Sequence, residues 1–130
     1  QPSSPLRLSE DIDATIQLLM DNPEADSAVS VVKINHLVHP VKMKVLKGRE
    51  LAPYWEDERG RFAAQDLPPV YVRNGAVYVC WRKTLELHQG VIGIHSLAYE
   101  MPSERSVDIN ELIDFEFAEY LYGKTYGPVK

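Results

Sequence analysis

One short apolar run limits the folds open to this chain. Residues 28–32, Ala-Val-Ser-Val-Val, are mostly β-branched, a pattern typical of a strand buried on both faces. The run follows a segment in which Ile12, Ile16, Leu19 and Met20 recur at helical spacing, which predicts one apolar helix face. A helix that leads into a buried strand predicts an α/β fold.

The remaining elements follow from periodicity and from turn residues. Ser9 is the expected N-cap of the first helix, and Asn22-Pro23 is its expected end. Asn74-Gly75 predicts a tight turn into a strand, because both residues tolerate positive φ. Further elements are predicted at these positions: a strand over 41–46, a turn over 47–50, a helical segment over 81–88, a strand over 95–101 and a closing helix over 110–122 capped by Gly123.

Composition bounds the class of protein. The chain has 130 residues, 45% of them hydrophobic, and a net charge of −5, which disfavours a general nucleic-acid binder because such proteins carry a basic surplus. No apolar run approaches the length of a membrane span. The single cysteine, Cys80, is expected to be a buried inert thiol. Since it cannot form a disulfide within the chain, we expect a reducing, cytoplasmic location.

Two segments suggest chemistry but leave alternatives open. Asp108 lies in a turn just before the closing helix, where a carboxylate can hold Mg²⁺ against a phosphate. Asp and Asn are also ordinary turn and cap residues, and spacing alone favours that interpretation. Residues 1–7, Gln-Pro-Ser-Ser-Pro-Leu-Arg, form a loop whose serines and arginine suit a phosphate, or simply an ordered terminal loop.

Three motifs, taken together, resemble one family. They are residues 104–110 (Glu-Arg-Ser-Val-Asp-Ile-Asn) followed by Asp114-Phe115, residues 1–7, and residues 74–78 (Asn-Gly-Ala-Val-Tyr). The chain resembles the acylneuraminate cytidylyltransferases, which make CMP-sialic acid and related CMP-sugar acids, but only in the C-terminal portion of their domain. The resemblance implies a nucleotide-diphospho-sugar transferase-like (Rossmann-like) α/β domain: a mixed sheet with flanking helices and a β dimerisation arm.

The same resemblance implies a sugar-binding site. Gln1 matches a glutamine that contacts the sugar, and Tyr78 matches a tyrosine that lines the sugar pocket. Lys42, in a His-Pro-x-Lys segment, matches a lysine that helps to hold the acidic sugar, and an ammonium group suits a carboxylate. Val91 and Ile92 fall where the family places apolar or aromatic residues against the N-acyl group.

The resemblance also implies a magnesium site, with two departures from the family. Asp108 matches a magnesium ligand, but the second family aspartate is Asn110 here. A carboxamide can ligate through its oxygen without adding charge, so we expect weaker magnesium binding. Ala64 stands where the family has an arginine. The chain therefore lacks a guanidinium group that could bind a carboxylate through two hydrogen bonds, which puts the usual sialic-acid specificity in question.

The organisation implied is a single partial domain, residues 1–130, with a dimerisation arm inserted at residues 36–73. In the family the corresponding insertion reaches across to a second subunit, and a lone ribbon buries too little apolar surface to be stable. We therefore expect a homodimer. The alternative is a hairpin folded against its own domain.

Two functional hypotheses follow. The first is a cytidylyltransferase chain, which transfers CMP from CTP to a sialic-acid-like sugar acid and releases pyrophosphate. Since no G-x-G-x-x-G or P-loop motif occurs in the sequence, this chain is expected to lack the N-terminal CTP-binding half and to be inactive alone. The second is a non-catalytic module derived from that family, which forms dimers or binds sugar acids.

Overall fold

A computed structural model describes residues 1–54 and 67–127. The chain divides into two compact units, one made of Gln1–Val32 with Arg73–Lys130 and one made of Lys33–Val72. The helices are α1 (Ser9–Met20), α2 (Arg82–His88) and α3 (Leu112–Tyr126), and the strands are β1 (Ser27–Lys33), β2 (Lys44–Lys47), β3 (Glu50–Pro53), β4 (Tyr71–Cys80) and β5 (Ser96–Glu100). Short 3-10 turns lie at His36–Val38, Pro40–Lys42 and Ser103–Arg105.

The first unit is built on a three-stranded sheet in the order β4-β1-β5. Strands β1 and β5 are parallel, with Ser27 opposite Ser96. Strand β4 runs antiparallel to β1. At its end Trp81 N–H donates to Asp26 O, just before β1, whereas the earlier Val77 N–H donates to Ser30 Oγ, later in β1. The predicted α/β class, with a mixed sheet and flanking helices, is therefore confirmed.

The apolar run of residues 28–32 forms the central strand, as its pattern predicts. Ala28, Val29 and Val31 are buried. Ala28 packs with Leu19 of α1 and with Ala25. A central position buries both faces of a strand, and this explains why the run is continuously apolar instead of alternating.

Helix α1 lies where it was predicted but presents a partly different face to the core. Leu19 is buried, whereas Ile12 and Ile16 are each 38% exposed and Met20 is 58% exposed. Of the apolar face predicted for this helix, only Leu19 is confirmed as buried, and the prediction is wrong for Ile12, Ile16 and Met20. The face that packs inward carries Asp11, Thr15 and Leu19, with Thr15 Oγ1 donating to the Asp11 carbonyl oxygen.

Three boundary predictions are corrected by hydrogen bonds. Leu8, not Ser9, is the N-cap of α1. Helix α3 starts at Leu112, because Asp114 Oδ2 accepts the N–H groups of Asn110 and Glu111 and so caps the helix. It continues past Gly123, since the Gly127 N–H donates to the Gly123 carbonyl.

Burial also differs from expectation at two places. The sequence also predicts a broad apolar face on the closing helix, formed by Leu112, Phe115, Ala118, Leu121 and Tyr122. Of these residues Ala118 is buried, whereas Leu112, Phe115 and Tyr122 are exposed. Cys80 is only partly buried, as a free thiol in β4. No helix within the described ranges is long and apolar enough to cross a membrane.

The second unit contains the predicted turn over 47–50. Strands β2 and β3 pair antiparallel, with Lys47 opposite Glu50, and Gly48 adopts φ +66° between them. The strand begins at Lys44 instead of residue 41, because Pro40–Lys42 forms a 3-10 turn. Most of the predicted arm, 36–73, lies in this unit, and its role in dimerisation stays a prediction. Ala64 lies outside the described residues.

A buried ion pair joins α1 to the segment before α3 in the first unit. Arg105 Nη2 lies 2.6 Å from Asp11 Oδ1, with the Asp11 side chain 0% exposed and the Arg105 side chain 31% exposed. Burial raises the pKa of the Asp11 carboxyl, but hydrogen bonds from Arg105 and from the Leu8 N–H outweigh it and hold the pKa below its usual 3.8. Tyr99 Oη also donates to this carboxylate.

Replacing Arg105 with Met is expected to lower the free energy of unfolding at neutral pH by about 3 kcal/mol, because the buried Asp11 carboxylate loses its cation. The folded pKa of Asp11 lies below its unfolded value, so the pair stabilises above about pH 4 and this stabilisation is lost as the pH falls through the folded pKa. The loss caused by Arg105→Met should therefore shrink in acid, as measured by urea unfolding.

Arg82→Met is the matched control, since Arg82 forms an exposed pair with Glu86 and such pairs contribute little. An equal loss for the two variants, or a loss from Arg105→Met that does not change with pH, would contradict the assignment.

Candidate functional site

Strand β4 is interrupted by a bulge where a tight turn was predicted. Asn74 and Gly75 lie inside the strand, so the predicted turn is wrong, although Gly75 does adopt φ +73°. The buried hydroxyl of Ser30 in β1 lies at this point. Ser30 Oγ accepts the Val77 N–H at 2.8 Å and donates to Asn74 Oδ1 at 2.6 Å, so a side-chain oxygen takes the place of a backbone acceptor, as occurs at β-bulges.

The Asn74 side chain holds the bulge to its surroundings. Its Oδ1 also accepts the Ala76 N–H, and its Nδ2 donates to Ser106 Oγ at 2.9 Å and to Met101 Sδ at 3.3 Å. Asn74 is buried, so these contacts satisfy groups that would otherwise be desolvated without partners. Asn74 thereby joins β1 and β4 to the segment that leads to Asp108.

Two predicted site residues meet over the bulge. A Cβ placed ideally at Gly75 would lie 3.1 Å from Gln1 Oε1 and 3.2 Å from Ser4 Oγ. The same point lies 3.7 Å from Asp108 Oδ1. Gln1 Oε1 and Asp108 Oδ1, far apart in the sequence, therefore both lie within 4 Å of one point beside Gly75.

Backbone and side-chain hydrogen bonds fix the loop of residues 1–7 in this position. The Gln1 backbone nitrogen donates to Gly75 O at 3.4 Å, and Ser4 Oγ donates to Asn74 O at 3.1 Å. Arg7 Nη1 donates to the carbonyl oxygens of Gln1 and Ser4 at 2.6 and 2.7 Å. The Arg7 guanidinium is thus used inside the loop, where it organises backbone carbonyls.

Asp108 presents its two carboxylate oxygens to different surroundings. Oδ2 accepts a hydrogen bond from Asn110 Nδ2 at 3.2 Å. Oδ1 is buried, and within the described part of the chain it has no hydrogen-bond partner. The Ile109 N–H donates to Ser3 O at 2.8 Å, which ties this segment to the loop of residues 1–7. An unpartnered buried carboxylate oxygen suggests a role, because such groups are costly to leave unpaired.

The fit of these residues to magnesium is partial. Asp108 offers a carboxylate oxygen without a competing donor, as a magnesium ligand requires. Asn110 turns its amide nitrogen toward Asp108, with Nδ2 donating to Oδ2. Among residues 1–54 and 67–127 no group of three His, Cys, Asp or Glu side chains could hold a metal by itself. A magnesium ion here would therefore depend on water and substrate oxygens, as is usual for this ion.

The other predicted sugar-site residues belong to three different segments of the chain. Tyr78 follows Gly75 in β4 and is partly buried. Lys42 is exposed and belongs to the second unit, where it ends the Pro40–Lys42 turn. Val91 and Ile92 lie in the loop between α2 and β5, at the end of the sheet opposite to Asp108. The structure brings Gln1 and Asp108 together, and the roles predicted for the other residues stay predictions.

The loop that carries Val91 and Ile92 is fixed to the start of β1. His95 N–H donates to Asp26 Oδ2 at 2.9 Å, and this bond is the main reason why the pKa of Asp26 is lowered. Gly93 N–H donates to Ser27 Oγ at 3.1 Å. Such anchoring gives the loop a defined shape.

Sequence reasoning missed Ser4 and Ser30, and it assigned Asn74 only to a turn. One signal could have identified Ser30. A lone serine within a β-branched apolar run must find hydrogen-bond partners if the strand is central. Nothing local in the sequence indicates which partners it finds.

Comparison with known proteins gives a distant relation. No protein-family model matches the chain. N-acylneuraminate cytidylyltransferases from Streptococcus agalactiae serotypes III, Ia and V are each 27% identical to it over 115 residues. The match covers 88% of this chain and 27% of each relative, so the chain spans about a quarter of the length of these curated relatives. This similarity supports a distant relation to these enzymes.

Asn74→Ala is expected to lower the free energy of unfolding by about 2 kcal/mol, because it leaves the buried Ala76 N–H without its acceptor and removes the shorter of the two hydrogen bonds that the Ser30 hydroxyl can donate. Urea unfolding of the whole chain measures the change. Asn35→Ala is the control, since Asn35 is exposed and accepts one local hydrogen bond from Leu37 N–H. A smaller loss for Asn74→Ala than for Asn35→Ala would contradict the central role of Asn74.

Proposed function

We propose that this chain forms the sugar-acid-binding and magnesium-binding part of a cytidylyltransferase. The reaction is transfer of CMP from CTP to a sialic-acid-like sugar acid, with release of pyrophosphate. The observation that carries the proposal is that Gln1 Oε1 and Asp108 Oδ1 both lie within 4 Å of one point beside Gly75, with Asp108 Oδ1 buried and unpartnered among the described residues. Support comes also from the relatives named N-acylneuraminate cytidylyltransferase.

In this proposal Gln1 binds the acceptor. Its amide can donate to one sugar hydroxyl and accept from another, and the bulge together with Arg7 fixes its backbone. Orientation of this kind is the main contribution a protein makes to phosphoryl-type transfer, in which little covalent chemistry falls to side chains. Tyr78 is proposed to line the sugar pocket, and the Lys42 ammonium is proposed to bind the carboxylate of the sugar. Val91 and Ile92 lie at the end of the sheet opposite to Asp108, so their contact with the N-acyl group stays a separate prediction.

Asp108 and Asn110 are the proposed magnesium-binding residues. When bound, the ion would neutralise charge on the phosphate oxygens. Asp108 contributes the negative charge, and Asn110 hydrogen-bonds one of its carboxylate oxygens and so restrains its rotation. Because only one of the two residues is charged, magnesium affinity should be low.

We further propose that residues 1–130 bind the acceptor but need a triphosphate-binding region to react. The sequence contains neither a G-x-G-x-x-G nor a P-loop motif, the backbone cradles that commonly hold phosphates. Association is proposed to be homodimeric, through residues 36–73. This part of the proposal concerns the whole enzyme, of which the chain would form one portion.

A second candidate is a non-catalytic sugar-acid-binding or dimer-forming module. The observation that favours it is Asn110, whose amide replaces a carboxylate and donates to Asp108. Pyrophosphate release separates the two candidates. Release on mixing the chain with CTP, Mg²⁺ and a sialic-type acid, together with the triphosphate-binding region of a relative, supports the enzyme. Sugar-acid binding without release supports the module.

Gln1→Ala is expected to weaken sugar-acid binding about tenfold, because a hydrogen bond to an uncharged group contributes roughly 1 kcal/mol or slightly more. Calorimetric titration of the chain with N-acetylneuraminic acid measures the change. Gln17→Ala is the control, since Gln17 is an exposed residue of α1 whose amide bonds Asp21. Equal affinity in wild type and Gln1→Ala would remove Gln1 from the site.

Asn110→Asp is expected to tighten Mg²⁺ binding about tenfold, because it places a second negative charge beside Asp108. Asn35→Asp adds the same charge at an exposed residue of the second unit and should leave the affinity unchanged. Titration with Mn²⁺, followed by electron paramagnetic resonance and competed with Mg²⁺, reads the affinity directly. Tighter binding in both variants would indicate a general charge effect instead of a site.

A further inference from the structure

We propose that Gly75 is a positioning residue that sets the place of the Gln1 side chain, and that it does so without setting the metal-binding geometry of Asp108. Its importance for substrate rests on the function proposed above. The geometric part stands on the bulge itself. Two features of this position require glycine. The backbone has a positive φ, and neighbouring side chains leave little room for a Cβ.

The first requirement is the backbone. Gly75 has φ +73°, a conformation that L side chains rarely adopt. Hydrogen bonds restrain the two residues that follow it, because Asn74 Oδ1 accepts the Ala76 N–H and Ser30 Oγ accepts the Val77 N–H. The bulge would keep this conformation even if residue 75 were changed, so a new side chain would have to project from it.

The second requirement is space. Gly48 and Gly127 also have positive φ, at +66° and +87°, but an ideal Cβ at either position would meet nothing within 4 Å. A Cβ at Gly75 would lie 3.1 Å from Gln1 Oε1 and 3.2 Å from Ser4 Oγ, both closer than ordinary contact. Only Gly75 of these three glycines therefore has a steric role in addition to a conformational one.

The two crowded neighbours differ in their freedom to move. Ser4 is buried and its hydroxyl bonds Asn74 O, so it is held in place. Gln1 is exposed and its amide is the far end of a flexible side chain. A Cβ at residue 75 should therefore displace the Gln1 side chain more than the Ser4 side chain. Asp108 Oδ1, at 3.7 Å, is in ordinary van der Waals contact and need not move.

Because Gln1 should move and Asp108 should not, a substitution at Gly75 should affect sugar-acid binding and Mg²⁺ binding differently. Gly75→Ala should shift the side-chain amide resonances of Gln1 in a ¹H–¹⁵N spectrum and weaken sugar-acid binding about as much as Gln1→Ala does. It should leave Mg²⁺ affinity within about twofold of the wild type. A general loss of structure would instead weaken both kinds of binding together.

Gly48→Ala is the matched control. It introduces a comparable positive-φ strain where a Cβ meets nothing within 4 Å, so it should lower the melting temperature without moving the Gln1 amide. The proposal is overturned if Gly48→Ala moves the Gln1 amide as far as Gly75→Ala does, or if Gly75→Ala leaves the amide unmoved. It is also overturned if Gly75→Ala weakens Mg²⁺ and sugar-acid binding equally.

A double variant keeps the test decisive if Gly75→Ala unfolds the chain. In Gly75→Ala/Gln1→Ala the 3.1 Å contact with Gln1 Oε1 is gone and the 3.2 Å contact with Ser4 Oγ remains. This variant should therefore fold, and its melting temperature should lie closer to that of Gln1→Ala than the melting temperature of Gly75→Ala lies to that of the wild type. A double variant that also fails to fold overturns the proposal. If the wild-type chain binds no sugar acid, the proposed function fails, and the Gln1 amide resonances still decide the role of Gly75.

Discussion

The site of this protein depends on one buried hydroxyl group in the central strand. Ser30 inserts its side chain into the ladder between β1 and β4, and the resulting bulge puts Asn74 and Gly75 into a conformation that a regular strand cannot provide. Contacts with these two residues then position the other residues of the candidate site. Asn74 reaches the segment that carries Asp108, and Gly75 receives Gln1. A bulge beside a functional site is a common way to re-aim side chains without breaking a sheet.

A second polar contact, the Asp11–Arg105 pair, decides how α1 lies on the sheet. A buried carboxylate must be paired and hydrogen-bonded, and Arg105, Tyr99 and the Leu8 N–H together meet that need. The helix therefore turns a partly polar face inward. The same pair fixes the turn that precedes Asp108, so scaffold and candidate site share one electrostatic anchor.

The arrangement around Asp108 agrees with the distant relation to cytidylyltransferases and also marks a departure from it. One carboxylate oxygen is engaged by Asn110, and the other is buried beside Gln1 without a donor among the described residues. A neutral amide in the second position lowers the charge available to a cation. The acceptor-binding side of the proposed chemistry is thus better supported by this chain than its metal-binding side.

The sequence alone determined the α/β class, the central strand and the hairpin turn at Gly48, because these follow from short-range periodicity and turn chemistry. It also indicated Gln1 and Asp108, through motifs that resemble a family. It could not determine that Asp11 would face inward in place of Ile12, or that Asn74-Gly75 would form a bulge instead of a turn. Both outcomes depend on partners distant in the chain, Arg105 for Asp11 and Ser30 for Asn74. Only the tertiary structure brings those partners together, because satisfying buried polar groups overrides local propensity.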